Sequence, residues 1–134
     1  MKTLSFYALF FLLFNLTSCD INDDNTPTSL KGNWTLVKVS GTIAGIENNY
    51  PAGKIKWNFG NSKVTVINTD NEYDYDVFES GNYDYSLKNS EIGADCTETI
   101  NINKNDMGCY YVNGNELYIT QVASDGVLLK LIKI

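Results

Sequence analysis

From Leu30 to Ile134 the chain runs in short stretches of alternating apolar and polar residues, broken by Gly and Asn turns about every ten residues. That rhythm leaves little room for helices. Ile55, Trp57 and Phe59 fall on one face of an extended segment, with Lys54, Lys56 and Asn58 on the other. Tyr83, Tyr85 and Leu87 oppose Asp84, Ser86 and Lys88 in the same way. Gly60-Asn61 separates one pair of runs, Asn113-Gly114 a second and Asp125-Gly126 a third, and such dipeptides supply the positive φ of tight hairpin loops. Strands are expected near 33–40, 54–59, 62–68, 72–78, 82–88, 97–103, 109–122 and 127–133, the 109–122 segment being broken by its own turn. Hairpins in series favour an all-β, antiparallel, up-and-down meander of eight to nine strands, and rolling it into a barrel removes its exposed edges.

The 134 residues fit one domain after an N-terminal targeting segment. The formal charge is −6, with no His, and all ten basic residues are Lys. A negative chain without Arg is poorly matched to a phosphate backbone, so no nucleic-acid partner is expected. Without His the commonest general base and the usual zinc ligand are missing, so neither an enzyme nor a metal or other cofactor is expected.

The opening MKTLSFYALFFLLFNLTS has one positive residue, Lys2, followed by an apolar stretch from Leu4 to Phe14. That stretch is too short to span a bilayer and has the length of a signal-peptide core. Leu16-Thr17-Ser18-Cys19 follows at once and resembles the lipobox of bacterial lipoproteins. The resemblance implies cleavage after residue 18, acylation of Cys19, and a membrane partner reached through the acyl chains. Residues 19–29 are polar and acidic and read as a flexible tether. Asp20, Asp23 and Asp24 are similar to the acidic export signals of Bacteroidota surface lipoproteins, which implies an outer-membrane location on either face. The barrel domain would then occupy 30–134.

Leu30-Lys31-Gly32-Asn33-Trp34-Thr35-Leu36-Val37 resembles the Gly-x-Trp opening of lipocalins and of small lipocalin-like domains in bacterial lipoproteins. The later Tyr110–Ile119 run, with its hairpin and terminal apolar strand, is also similar to those small domains. The resemblance implies an eight-stranded barrel whose Trp packs across one end. Such a barrel either holds one small ligand or is filled by its own side chains. Under the first reading a small apolar or amphipathic molecule binds in or at the mouth of the barrel, lined by Trp34, Trp57, Tyr83, Tyr85 and Tyr111. Under the second, the barrel is a protein-interaction module, an assembly accessory or inhibitor, that meets an envelope protein with its rim or outer face. Core packing is the simpler role for Trp34, Trp57, Phe59 and Tyr118.

Cys96 and Cys109 make an even pair that an oxidising compartment would bond. A hairpin closed by a loop over 104–108 argues against the bond. Cys109 would face Asn103, leaving Cys96 seven residues away, about 23 Å at strand rise. A disulfide needs Cα atoms within about 7 Å. Either the two segments pair differently or the bond does not form.

Residues 70–85, DNEYDYDVFESGNYDY, raise a last question. Asp70, Glu72, Asp74 and Asp76 have the first four odd spacings of a calcium loop. Tyr75 stands where that loop needs Gly, however, and Gly81 where it needs Glu. As a strand, 72–78 would set its acids on a solvated outer face and Tyr73 and Tyr75 toward the core.

Overall fold

A computed structural model describes residues 29–41, 45, 47–70, 78–91, 96–121 and 126–134. The expected leader, Cys19, the expected tether up to Thr28, and most of the expected 72–78 strand with its acidic face lie outside the described residues. Among the described residues there is no helix. Nine antiparallel strands run in chain order: β1 (Gly32–Ser40), β2 (Glu47–Asn49), β3 (Ile55–Phe59), β4 (Lys63–Asn68), β5 (Gly81–Asn89), β6 (Glu98–Ile102), β7 (Asn105–Asn113), β8 (Glu116–Thr120) and β9 (Leu128–Lys133). Each pairs with its neighbour along the meander from β3 to β9, and β9 pairs with β1 to close the ring. The result is a closed eight-stranded barrel with one short extra strand, β2.

β2 has a local cause. It and β3 lie in sequence along the same edge of β1, with Lys38 opposite Asn49 and Thr35 opposite Lys56. Seven residues step along the return arm while β1 advances three. The surplus around Pro51 loops outward, since proline cannot donate to a ladder. Gly53, at φ 87°, turns the chain back and its N–H donates to Thr35 Oγ1 at 2.8 Å. Thr35 in turn donates to the Ile55 carbonyl at 3.1 Å, and so a residue on the outer face of β1 is fully buried.

Two irregularities reset which side chains face inward. Opposite β9 the register of β1 slips at Val37, between Leu36 and Lys38. Trp34 and Leu36 therefore point inward before the slip and Val39 after it. In β7, Met107 and Gly108 together face Ile100, because Asn101 pairs with Asp106 and Thr99 with Cys109. Gly108 sits at φ 83°, and a Cβ there would lie 2.1 Å from the Thr120 carbonyl oxygen, so only glycine fits. After this bulge Tyr110 and Val112 face the core while Tyr111 faces outward.

Inside, Trp34, Leu36, Ile55, Trp57, Phe59, Val64, Val66, Ile100, Ile102, Leu117, Ile119 and Leu131 interlock across the barrel with almost no exposure. Trp34 donates its indole N–H to the Leu30 carbonyl at 2.8 Å, and Lys133 Nζ lies 5.5 Å from its ring centroid. Trp57 meets Phe78 edge-on at 5.5 Å and Phe59 at 5.9 Å. Its Nε1 is buried and has no hydrogen-bond acceptor among the described residues. Tyr118 is not a core residue: it stands on the outer face, its ring stacked on Tyr111 at 4.7 Å.

The expected loop over 104–108 does not form. β6 and β7 join through Asn103-Lys104 alone, with φ angles of 51° and 68°, and Ile102 pairs directly with Asn105. Both loop residues at positive φ mark a primed turn matched to the strand twist. This tighter turn brings Cys109 level with Thr99, and Cys96 bonds to it with Cα atoms 5.7 Å apart. The disulfide lies on the face of β7 opposite Tyr110, outside the main core.

Candidate functional site

The wall of the barrel parts at the end where the chain enters at Leu30 and leaves at Ile134. β5 and β6 stay paired down to Asn89 and Glu98, but the β6–β7 ladder stops at Thr99 and Cys109. Four more residues of β7, Tyr110 to Asn113, continue with only β8 beside them. A cleft of about 510 Å³ opens there, in the range of small-molecule sites. Tyr85 and Leu87 of β5, Tyr110, Tyr111 and Val112 of β7, Thr97 and Glu98 at the start of β6, and Ser29–Lys31 at the head of the domain line it.

Each side chain is held by its neighbours. Tyr85 lies edge-on to Phe59 at 5.3 Å, and its hydroxyl donates to the Gly60 carbonyl at 2.7 Å. Burial raises its phenol pKa. Tyr110 donates to Glu98 Oε2 at 2.6 Å. Burial first, and then the adjacent Glu98 carboxylate, push the Tyr110 pKa well above the ordinary tyrosine range. Lys31, exposed at the mouth, donates through Nζ to Asn61 Oδ1 at 2.8 Å.

Tyr111 belongs to a second arrangement, on the outer face. Its ring stacks on Tyr118, and Lys130 Nζ sits 5.4 Å from the Tyr118 centroid. Lys130 pairs with Glu116 at 2.6 Å, and Tyr118 also hydrogen-bonds that carboxylate. Hydrogen bonds from Lys130 and then Tyr118 hold the Glu116 pKa below its usual value.

The disulfide braces the cleft. Cys96 directly precedes Thr97 and Glu98 on one wall, and Cys109 directly precedes Tyr110 and Tyr111 on the other. The bond sets the spacing of these walls where the ladder no longer does.

Of the five residues expected to line a ligand site, Tyr85 and Tyr111 meet at this cleft. Trp34 and Trp57 are sealed in the core. Tyr83 leans on Phe78 at 4.9 Å and donates to the Glu79 carbonyl at 2.9 Å, away from the cleft. Glu98, Tyr110, Leu87 and Val112 went unselected. Alternation placed Leu87 beside Tyr85, but the bulge at Gly108 hid which residues of Tyr110-Tyr111-Val112 turn inward. Nothing distinguished Glu98 among sixteen acids. Among the described residues no group of three His, Cys, Asp or Glu side chains could hold a metal ion, and no helix is long and apolar enough to cross a membrane.

The fold and site thus define a closed antiparallel β-barrel with an aromatic cleft at one end. Compared with known proteins, the chain matches no family model, no curated protein and no solved structure, so the reading of the cleft rests on its own geometry.

Proposed function

We propose that the protein is a lipid-anchored, lipocalin-like lipoprotein of the bacterial cell envelope that binds a small apolar or amphipathic molecule in the cleft at the end of its barrel, without catalysing a reaction. One observation carries the binding reading: Leu87, 39% exposed, leaves apolar surface in water at the cleft described above, beside Tyr85, Tyr110 and Val112. Exposed apolar groups gathered at a concavity mark a binding surface more often than scattered ones do. Among the described residues the core side chains have almost no exposure, so the ligand is placed at the mouth and not among them.

The anchor reading rests on the Leu16–Cys19 motif behind its apolar leader. Nine residues lie between Cys19 and Ser29, and those ten steps of chain reach at most about 35 Å. An acylated Cys19 would keep the cleft end of the barrel, where Ser29 and Leu30 sit, close to the membrane.

The packed interior also favours a second reading, a protein-interaction module using the Tyr111–Tyr118 face. Native mass spectrometry of the protein purified from its own host separates the two. The ligand reading expects a co-purifying small molecule that disappears in Leu87→Asp. A bare mass from the wild type, with an envelope protein crosslinked through the Tyr111 face, would favour the module. Cys19→Ser should move the protein out of the membrane fraction; unchanged fractionation would remove the anchor.

A further inference from the structure

Resting on the reading of the cleft as a ligand site, we infer that its occupant carries a cationic amine on an apolar body, with the Glu98 carboxylate receiving the ammonium beside the rings of Tyr85 and Tyr110. The hydroxyls of Tyr85 and Tyr110 are already committed, to the Gly60 carbonyl and to Glu98. These walls therefore offer a ligand their rings and not their oxygens. Ring faces carry negative charge and attract cations, and alkylammonium ions recognised by clustered aromatic rings are the usual case.

Glu98 supplies the formal charge. It is half-buried, accepts a hydrogen bond from Tyr110 through Oε2, and forms no ion pair among the described residues. An ionised carboxylate can accept about four hydrogen bonds, so most of its capacity is free for a donor in the cleft. A purely apolar occupant would cover this carboxylate without a partner, which is unfavourable. An ammonium both pairs its charge and donates hydrogen bonds to it. An anionic occupant would meet Glu98 as a like charge. Lys31, the other charged side chain at the cleft, is exposed and turned onto Asn61. The formal charge of −6 also draws cations toward the molecule.

Three probes with the same apolar body separate the possibilities: n-octylamine, protonated at neutral pH, n-octanol and octanoate. Isothermal titration calorimetry of the full-length protein at low salt should find the amine bound at least about tenfold more tightly than octanol, with octanoate weakest. Glu98→Gln keeps an acceptor for Tyr110 and removes the charge. It should weaken the amine about tenfold and leave octanol within about twofold. Equal affinity for amine and octanol would overturn the cationic ligand while leaving the cleft a binding site. Tighter binding of octanoate would overturn it in favour of Lys31 as the recognising group. Binding of none of the three would overturn this inference and the ligand reading together.

Discussion

β3 and β5 are written in nearly the same pattern, yet they end in different environments. Ile55, Trp57 and Phe59 alternate with polar residues in one, and Tyr83, Tyr85 and Leu87 do so in the other. The inward residues of β3 are sealed. Those of β5 are half-buried or, at Leu87, exposed. The difference lies in what stands across the barrel. β3 sits between β1 and β4, backed by Trp34, Leu36, Val64 and Val66. β5 runs past the end of β4, beside the short β6, and faces the part of β7 that has lost its β6 partner. Tyr83 and Tyr85 both donate their hydroxyls to backbone carbonyls, and Tyr85 leaves its ring to the cleft. Alternation thus tells which side of a sheet a residue occupies, and the closure of the neighbouring ladder decides whether that side is dry.

Substitutions can break or sharpen this contrast. The largest effect is expected from Gly108→Ala, which combines a left-handed backbone position with a side chain driven into the Thr120 carbonyl. A loss of about 4 kcal/mol follows from adding the left-handed penalty to overpacking, measurable by urea denaturation. Next, Trp34→Ala should cost about 4 kcal/mol, as deletion of a sealed aromatic does, whereas Leu87→Ala should change stability by about 0.5 kcal/mol or less. Comparable losses at the two positions would erase the distinction between a dry side and a cleft side.

Removing the disulfide with paired Cys96→Ser and Cys109→Ser should cost about 3 kcal/mol, given the 13-residue separation it spans. Its signature should be local, with hydrogen exchange rising at Thr97–Glu98 and Tyr110–Tyr111 before it rises in β3.

The smallest effect concerns pH. The Tyr110 pKa is raised on folding, so the stability it contributes is full below the unfolded tyrosine value, about 10, and is lost as pH climbs through the higher folded value. Stability measured from pH 9 upward should therefore fall less steeply in Tyr110→Phe than in the wild type. Identical slopes would show that Glu98 and burial do not hold the phenol neutral.

The meander itself was open to reading in the sequence. Gly60-Asn61 and Gly114 lie in the loops that join β3 to β4 and β7 to β8, and the Ile55–Phe59 alternation assigns core residues correctly. What stayed hidden depends on single-residue slips. Nothing in Val37 or Gly108 as letters announces that alternation changes phase there, yet those slips turn Val39 and Tyr110 inward. The Asn103-Lys104 loop was missed because lysine is an uncommon residue at positive φ. That loop sets the register that brings Cys96 to Cys109. The cleft was legible only in part. Tyr85 and Tyr111 carry an aromatic signal, but a cleft is made by where a ladder ends, which no single run of residues encodes.

The two indole N–H groups report most directly on whether the barrel is shut inside and open only at its end. In a two-dimensional ¹H–¹⁵N spectrum titrated with n-octylamine, the shifts should gather at Tyr85, Leu87, Glu98, Tyr110 and Tyr111. The Trp57 indole resonance, from a buried donor with no acceptor among the described residues, should stay in place. Movement of that resonance in step with the titration, with the cleft residues unchanged, would mean that the ligand enters the core, and the division of the molecule into a sealed interior and an open end would be wrong.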